Sequence, residues 1–325
     1  MKKYPEWIYR QSAALPYRRR NDDLEILLIT SRKGKRWLFP KGIVEPGLTP
    51  SASAAKEAKE EAGVEGEIWA HSLGEYSYRK WGGICTVDVF PMQVTIEQEE
   101  WPEATFRQRE WMAVEDVAGR VDQNELGRLV CRLPEALKAI SSKDRQPSSE
   151  ITAQPRLIYL LRHAKSSRND PALEDMARPL APRGLSDCEV MHDYMRFADV
   201  HPDFILCSPA VRTRQTLEAM LPVLGEDITV TYDSGLYLGG EAALTSRLRR
   251  VADEVVTVMI IGHNPALQAL AVSLTNGGDA KAMSRLETDF PTTGLATLVP
   301  NHDQWQSLAP GSCQLHSFIA PRDLL

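Results

Sequence analysis

The chain has 325 residues, 43% of them hydrophobic and 25% charged, with a formal net charge of −6. That length suits two globular domains with separate cores, and the mild acidity excludes bulk electrostatic attraction to nucleic acid. Five scattered cysteines without C-x-x-C spacing exclude a disulfide frame or a cysteine zinc site and point to a reducing, cytoplasmic setting, and no apolar run exceeds strand length, so no export signal or membrane partner is expected.

In chain order, Ser12 to Tyr17, Leu24 to Thr30 and Trp37 to Phe39 read as strands. The basic run Arg32-Lys33-Gly34-Lys35-Arg36 lies just before the third. A Gly- and Pro-bearing loop, Pro40-Lys41-Gly42-Ile43-Val44-Glu45-Pro46-Gly47, then leads to a helix carrying Lys56-Glu57-Ala58-Lys59-Glu60-Glu61-Ala62-Gly63-Val64. Glu57, Glu60 and Glu61 stand at i, i+3 and i+4, so one helical face presents hard oxygen donors suited to a divalent cation on a polyphosphate. A bare E-x-x-E-E pattern is equally a solvated acidic face; the loop before it and the Ala-Gly-Val ending distinguish this one. Strands follow at Ile68 to Ala70, Glu75 to Tyr78, Cys85 to Val94 and Glu110 to Val114. Leu126, Leu129, Val130, Leu133, Leu137 and Ile140 mark a closing amphipathic helix, expected to bend at Pro134. Tyr76, Tyr78 and Trp81 read as packing residues in preference to a base-stacking surface.

Residues 141–155 are polar, Pro- and Ser-bearing and aperiodic, and read as a linker between domains at 1–140 and 156–325. Beyond it, Leu157 to Leu161 is a wholly apolar strand delivering Arg162-His163-Ala164-Lys165 to a loop. Phe204 to Cys207 leads likewise into Ser208-Pro209-Ala210-Val211-Arg212, and Val255 to Ile261 into Gly262-His263-Asn264-Pro265. Strands that end in basic loops opening helices are where an open parallel α/β sheet places its ligands, and here the ligand is anionic.

The first motif resembles the Nudix box, with Gly42, Glu57, Ala58, Glu60, Glu61, Gly63 and Val64 in register. Leu48 stands where that family has its first glutamate and Lys56 where it has an arginine, departures that weaken the bracing of loop against helix. The resemblance implies a mixed sheet sandwiched by helices. It also implies Mg²⁺ or Mn²⁺ held by Glu57, Glu60 and Glu61 with a carbonyl near Lys41 or Gly42. Glu61 is the candidate base, with Glu97, Glu99, Glu100 and Glu103 as alternatives from a distant loop. The lead-in looks like that of dinucleoside polyphosphate hydrolases. The runs Val87 to Pro91, Trp101 to Glu103 and Arg109 to Trp111 look more like diphosphoinositol polyphosphate phosphohydrolases, and an enzyme of the MutT type that cleanses oxidised nucleoside triphosphates is a further alternative. Each implies a small-molecule polyphosphate substrate, for which Arg32, Lys33, Lys35, Arg36 and Lys41 are candidate grips.

The second set resembles the histidine phosphatase superfamily, its short SixA-type phosphohistidine phosphatases more than the phosphoglycerate mutases, and implies a doubly wound α/β domain. By that resemblance His163 is a nucleophile that becomes phosphorylated, Arg162, Arg212 and His263 surround the phosphoryl oxygens, and no cofactor is required. Arg178, in Arg178-Pro179-Leu180, is either a substrate contact or a loop ion pair. A phosphohistidine protein is one implied partner; a reading with a non-catalytic, polyphosphate-sensing first domain stays open. No motif fixes a general acid, for which Glu241, Asp170 and Asp175 are the candidates.

Overall fold

The computed structural model describes residues 9–21, 23–32, 34, 36–80, 83–121, 124–139, 144–148, 155–225 and 228–325, and the chain divides between residues 154 and 155 into two compact units. In the first unit, β1 (Arg10–Arg20), β2 (Asp23–Thr30), β3 (Trp37–Leu38) and β4 (Lys41–Ile43) precede helix α1 (Pro50–Ala62). After it come β5 (Val64–Trp69), β6 (Gly74–Lys80), β7 (Gly83–Glu97) and β8 (Arg109–Ala113), then α2 (Val114–Arg120), α3 (Asn124–Ala139) and β9 (Arg145–Pro147). The strands form one nine-stranded sheet along the path β3-β2-β1-β7-β5-β9, with β4 added to β1, β6 to β7 and β8 to β2. β1 runs parallel to β7, with Ala13 opposite Val89, and antiparallel to β2 and β4.

Side-chain alternation along the central strands sorts this sheet's two faces. Leu15, Tyr17, Ile26, Leu28, Val87 and Val89 pack with Leu126, Leu129, Val130 and Leu133 of α3. Their neighbours Ala14, Leu27, Ile29, Phe90 and Met92 pack with Ala54, Ala55, Ala58 and Ala62 of α1. An alanine stripe brings α1 close to the sheet. Thr49 caps its start by accepting from the Ala52 N–H at 3.2 Å, Pro50 opens it, and Gly63 ends it at φ 65°. Helix α3 continues through Pro134.

One expectation is corrected here. Part of the stretch read as linker is β9, which pairs antiparallel with β5, Gln146 opposite Ile68, and Ser148 Oγ accepts from the Gly66 N–H at 2.9 Å. Backbone groups at a sheet edge need partners whatever the side-chain pattern, so an aperiodic Pro-bearing segment serves.

The second unit has β10 (Leu157–Arg162), α4 (Pro182–Phe197), β11 (Phe204–Cys207), α5 (Val211–Leu224), β12 (Thr229–Tyr232), α6 (Gly235–Leu238), α7 (Glu241–Leu248), β13 (Thr257–Gly262), α8 (Ala266–Leu274), β14 (Thr275–Gly278), α9 (Ala280–Thr288), β15 (Leu295–Pro300) and β16 (Cys313–Ile319). Its seven-stranded sheet runs β12-β11-β13-β10-β15-β16-β14. The first four are mutually parallel; β15, antiparallel to both β10 and β16, makes the sheet mixed. Ile158, Leu160, Val258 and Ile260 pack with Leu244, Leu267, Leu270 and Leu286 of α7, α8 and α9. Register places Arg162 opposite Gly262, and Ile261 opposite both Leu161 and Cys207. Three adjacent parallel strands thus end level, and their following residues meet at one edge. Among the described residues no helix is long and apolar enough to cross a membrane.

Candidate active sites

In the first unit, Gly42 on β4 faces α1 so closely that a Cβ there would stand 1.7 Å from Glu57 Oε1. The Glu57 carboxylate therefore lies in a cradle that any larger residue at 42 would fill. Burial, reinforced by the charges of Glu61, Glu60 and Glu45, pushes its pKa well above the ordinary carboxylate range. Such crowding of hard oxygen donors fits a divalent cation, which would relieve the repulsion.

The three glutamates share a face without sharing a focus. Glu61 Oε2 accepts from the Lys41 N–H at 2.9 Å, and Oε1 is paired with Arg107. Glu60 lies 3.2 Å from Lys56 Nζ. Among the described residues no His, Cys, Asp or Glu group of three or more is gathered as a metal site. This qualifies the expectation of a ready convergent triad. Burial raises the Glu61 pKa to about 7, against the lowering effect of Arg107 and the Lys41 N–H.

The loop candidates separate by position. Glu103 is tied to the site: its N–H donates to the Glu60 carbonyl at 3.3 Å, and its carboxylate takes Arg107 Nε at 2.5 Å and pairs with Arg32. Burial would raise its pKa, but the hydrogen bonds from Arg107 and Arg32 carry it down. Glu97 is bound to Arg18, Arg109 and Trp111.

The Leu48 and Lys56 departures also resolve locally. Lys56 Nζ reaches Glu45 at 2.6 Å, Glu45 N–H donates to Ser53 Oγ at 3.3 Å, and that hydroxyl donates to the Ile43 carbonyl at 3.2 Å. The loop is braced to α1 through Glu45.

Beside the Glu61 end of α1 lies a cavity of about 470 Å³ lined by Arg32, Arg36, Lys41, Arg79, Lys80 and Arg107. Arg32, Arg36 and Lys41 were anticipated from sequence; Lys33 and Lys35 lie outside the described residues, as does Trp81. Arg79 and Lys80 at the end of β6, and Arg107, had no local signal. Lys41 Nζ donates to Tyr78 OH at 2.7 Å and to Gln11 Oε1 at 3.1 Å, and burial lowers its pKa to about 8. Tyr76 is buried in the core as expected, while both tyrosines also line the cavity.

In the second unit the predicted residues come together. His163 Nδ1 lies 2.8 Å from the Ala164 carbonyl, which only accepts, so Nδ1 carries the proton and Nε2 the lone pair. Arg212 Nε donates to that Nε2 at 3.3 Å, and Arg212 Nη2 stands 3.3 Å from His263 Nδ1. His263 Nε2 lies 2.8 Å from Ser208 Oγ, and the two imidazoles have centroids 5.0 Å apart. Burial first, then the surrounding positive groups, lower His163 to about 3 and His263 to about 4. Arg162 donates to the Phe290 carbonyl at 2.5 Å, while its Nε is buried with no partner among the described residues.

A cavity of about 210 Å³ opens here, lined by Arg162, His163, Lys165, Asp175, Arg178 and Arg212 among others. Arg178 lines the cavity and forms the loop ion pair, with Asp175 at 2.7 Å. Of the acid candidates only Asp175 is at the cavity. The hydrogen bond from Tyr237, with those from Arg212 and Arg178, holds its carboxyl well below the usual range. Asp170 caps its own turn to the Ala172 N–H at 2.9 Å, and Glu241 opens α7.

The chain matches the family model of the NUDIX domain over residues 9–133 and that of the histidine phosphatase superfamily (branch 1) over residues 158–237. An uncharacterised protein of Mycobacterium tuberculosis is 37% identical over 165 residues, 50% of this chain and 100% of that one. The mitochondrial Nudix hydrolase 17 of Arabidopsis thaliana is 36% identical over 141 residues, 41% of this chain and 71% of that one. Among solved structures, the protein histidine phosphatase SixA complexed with tungstate aligns at a TM-score of 0.43 with 21% identity, over 51% of this chain and 98% of that one.

Proposed function

We propose, for a chain that belongs to the Nudix family through residues 9–133 and to branch 1 of the histidine phosphatase superfamily through residues 158–237, a bifunctional phosphohydrolase acting by two different chemistries. Both families are hydrolases of phosphate esters or anhydrides. The first site then takes a phosphate-rich small molecule: a dinucleoside polyphosphate, a diphosphoinositol polyphosphate or a nucleoside triphosphate. The observation that carries this reading is the ring of Arg32, Arg36, Lys41, Arg79, Lys80 and Arg107 around one cavity at the Glu61 end of α1.

Glu57, Glu60 and Glu61 would hold Mg²⁺ or Mn²⁺, with Glu103 the loop carboxylate that shares Arg107 with Glu61. When bound, such an ion supplies charge neutralisation and an acidified water. Glu61, whose carboxyl pKa burial raises, is the candidate base. The cavity cations hold the phosphate chain and orient the scissile anhydride.

At the second site His163 Nε2 attacks phosphorus in line, forming the N–P bond as the bond to the leaving group breaks. Arg162, Arg212 and His263 hold the equatorial oxygens, and the two guanidiniums supply the positive charge this transfer needs. Water then attacks phosphorus, the N–P bond breaks, and phosphate departs. Among the described residues Asp175 is the carboxylate lining this cavity, and its bonds to Tyr237, Arg212 and Arg178 favour the ionised form, which does not protonate an alkoxide. That favours substrates whose leaving group departs unaided, such as the protonated imidazole of a phosphohistidine protein or small molecule. The space that Gly42 leaves for the Glu57 carboxylate favours a catalytic first unit over a merely polyphosphate-sensing one.

The test uses the full chain. EDTA should silence hydrolysis of diadenosine tetraphosphate while phosphatase turnover persists, and His163→Ala should remove the latter alone. Phosphoryl label from the substrate should be trapped on His163 as an acid-labile, alkali-stable adduct. Label on another residue, or loss of both activities to EDTA, refutes the assignment.

A further inference from the structure

We infer that Asp175 is a positioning residue of the second site, setting the Arg212 guanidinium so that its Nε edge faces the His163 nucleophile. The inference rests on the phosphohistidine mechanism above and goes beyond it by giving Asp175 a role. Asp175 begins the short turn Asp175–Ala177 between β10 and α4. Its carbonyl accepts from Arg212 Nη1 at 2.6 Å and its Oδ2 from Arg212 Nη2 at 2.8 Å. Tyr237 OH donates to the same Oδ2 at 2.7 Å, and Arg178 Nη1 donates to Oδ1 at 2.7 Å.

A guanidinium is a planar fork, and its orientation is fixed once two of its nitrogens are held. Asp175 holds Nη1 and Nη2 with two different acceptor atoms, which defines the plane. Nε is then left toward His163 Nε2, and Nη2 also toward His263 Nδ1, each at 3.3 Å. The Arg212 side chain is 8% exposed and that of Asp175 51% exposed, so the arginine end of the pair is desolvated and geometry is retained there. Tyr237 fixes the carboxylate in turn. Its ring stands edge-on to His263 at 5.3 Å, and Arg212 lies 5.7 Å from the Tyr237 ring centroid. One anion thereby ties the loop before α4, the first turn of α5 and helix α6 to a common guanidinium. The rival role is an internal anion competing with the phosphoryl group for Arg212 Nη1 and Nη2. Asp175 leaves Nε alone.

The experiment compares Asp175→Asn, Asp175→Glu and Tyr237→Phe in the full chain, with p-nitrophenyl phosphate as substrate and vanadate as a five-coordinate inhibitor. Asp175→Asn should lower kcat by about 10- to 100-fold, the scale of a small misplacement of a catalytic group, with KM changed by no more than about threefold. Vanadate inhibition should weaken by a similar factor to kcat, since it reads the aimed guanidinium. Asp175→Glu should restore part of the loss, and Tyr237→Phe should lower kcat severalfold in the same direction. Tighter vanadate binding or faster turnover in Asp175→Asn would make Asp175 a competitor, and unchanged kinetics would give it no role; either overturns the inference. Should Asp175→Asn melt early, Tyr237→Phe decides by the same criteria. His163→Ala separates the two levels: retained turnover there refutes the mechanism, whereas its loss beside a normal Asp175→Asn refutes this inference alone.

Discussion

Gly42→Ala isolates the geometry of the first site from its folding. A Cβ at this position would stand 1.7 Å from Glu57 Oε1, 2.5 Å from its Cδ and 3.1 Å from Oε2, so the carboxylate must retreat by roughly 1.7 Å to reach ordinary contact at 3.4 Å. Gly42 is not among the glycines at positive φ, so its backbone accepts alanine without strain. The displaced group is the end of a flexible side chain, which places the stability cost toward the low end of the ~1–3 kcal/mol usual for overpacking. Function should suffer more: displacement of a catalytic group by about 1 Å costs on the order of 10²-fold. We expect Mn²⁺-dependent hydrolysis of diadenosine tetraphosphate to fall by at least about that factor. Mn²⁺ affinity should fall with it, and the melting temperature should drop by only a few degrees, about what ~1 kcal/mol produces in a domain of this size. Turnover of p-nitrophenyl phosphate at the second site serves as the internal control. Activity and Mn²⁺ affinity within threefold of the parent would refute the cradle argument.

Glu60→Gln should reduce metal-dependent hydrolysis by about 10²–10⁴-fold with the melt unchanged, read by phosphate release from diadenosine tetraphosphate. Leu48→Glu should leave that activity within roughly tenfold of the parent, because Glu45 already braces the loop through Lys56. Glu45→Ala should lower activity, and Leu48→Glu should partly restore it in the double variant; additive losses would show that the brace is not shared. For pH, neutral imidazole is the nucleophile, and it is the form present above the pKa. With His163 lowered to about 3 and His263 to about 4 in the free protein, kcat/KM at the second site should show no enzyme limb at 6.5 and decline from these groups only toward the lowered values. An acid limb centred near 6.5 would place the nucleophile in an ordinary solvated environment.

Much of the fold was legible because it is written at short range. Period-two alternation marked the central strands of the first sheet, and unbroken apolar runs marked β10, β11 and β13. Thr49, Pro50 and Gly63 bound α1 by capping chemistry confined to a few residues. The two motif sets were likewise local in spacing, and Arg162, His163, Arg212 and His263 meet because three parallel strands end in register. The antiparallel β15 and β16 carried no motif, and β9 pairs through its backbone, so their places in the sheets followed from tertiary pairing.

Within the sites, sequence determined which residue types are present and which face of one helix they share. It left open which distant groups neutralise them. Arg107 meets Glu61 across 46 positions, and Arg32 meets Glu103 across 71. Sheet register and loop closure decide such meetings, and neither leaves a periodic trace in the chain. For the same reason Glu103 stood level with Glu97, Glu99 and Glu100 as a loop carboxylate until the fold brought it to Glu60. Asp175 read as a candidate acid until Arg212, Arg178 and Tyr237 surrounded it. A carboxyl group's role depends on the charges and donors packed around it, and those arrive from parts of the chain that only folding brings near.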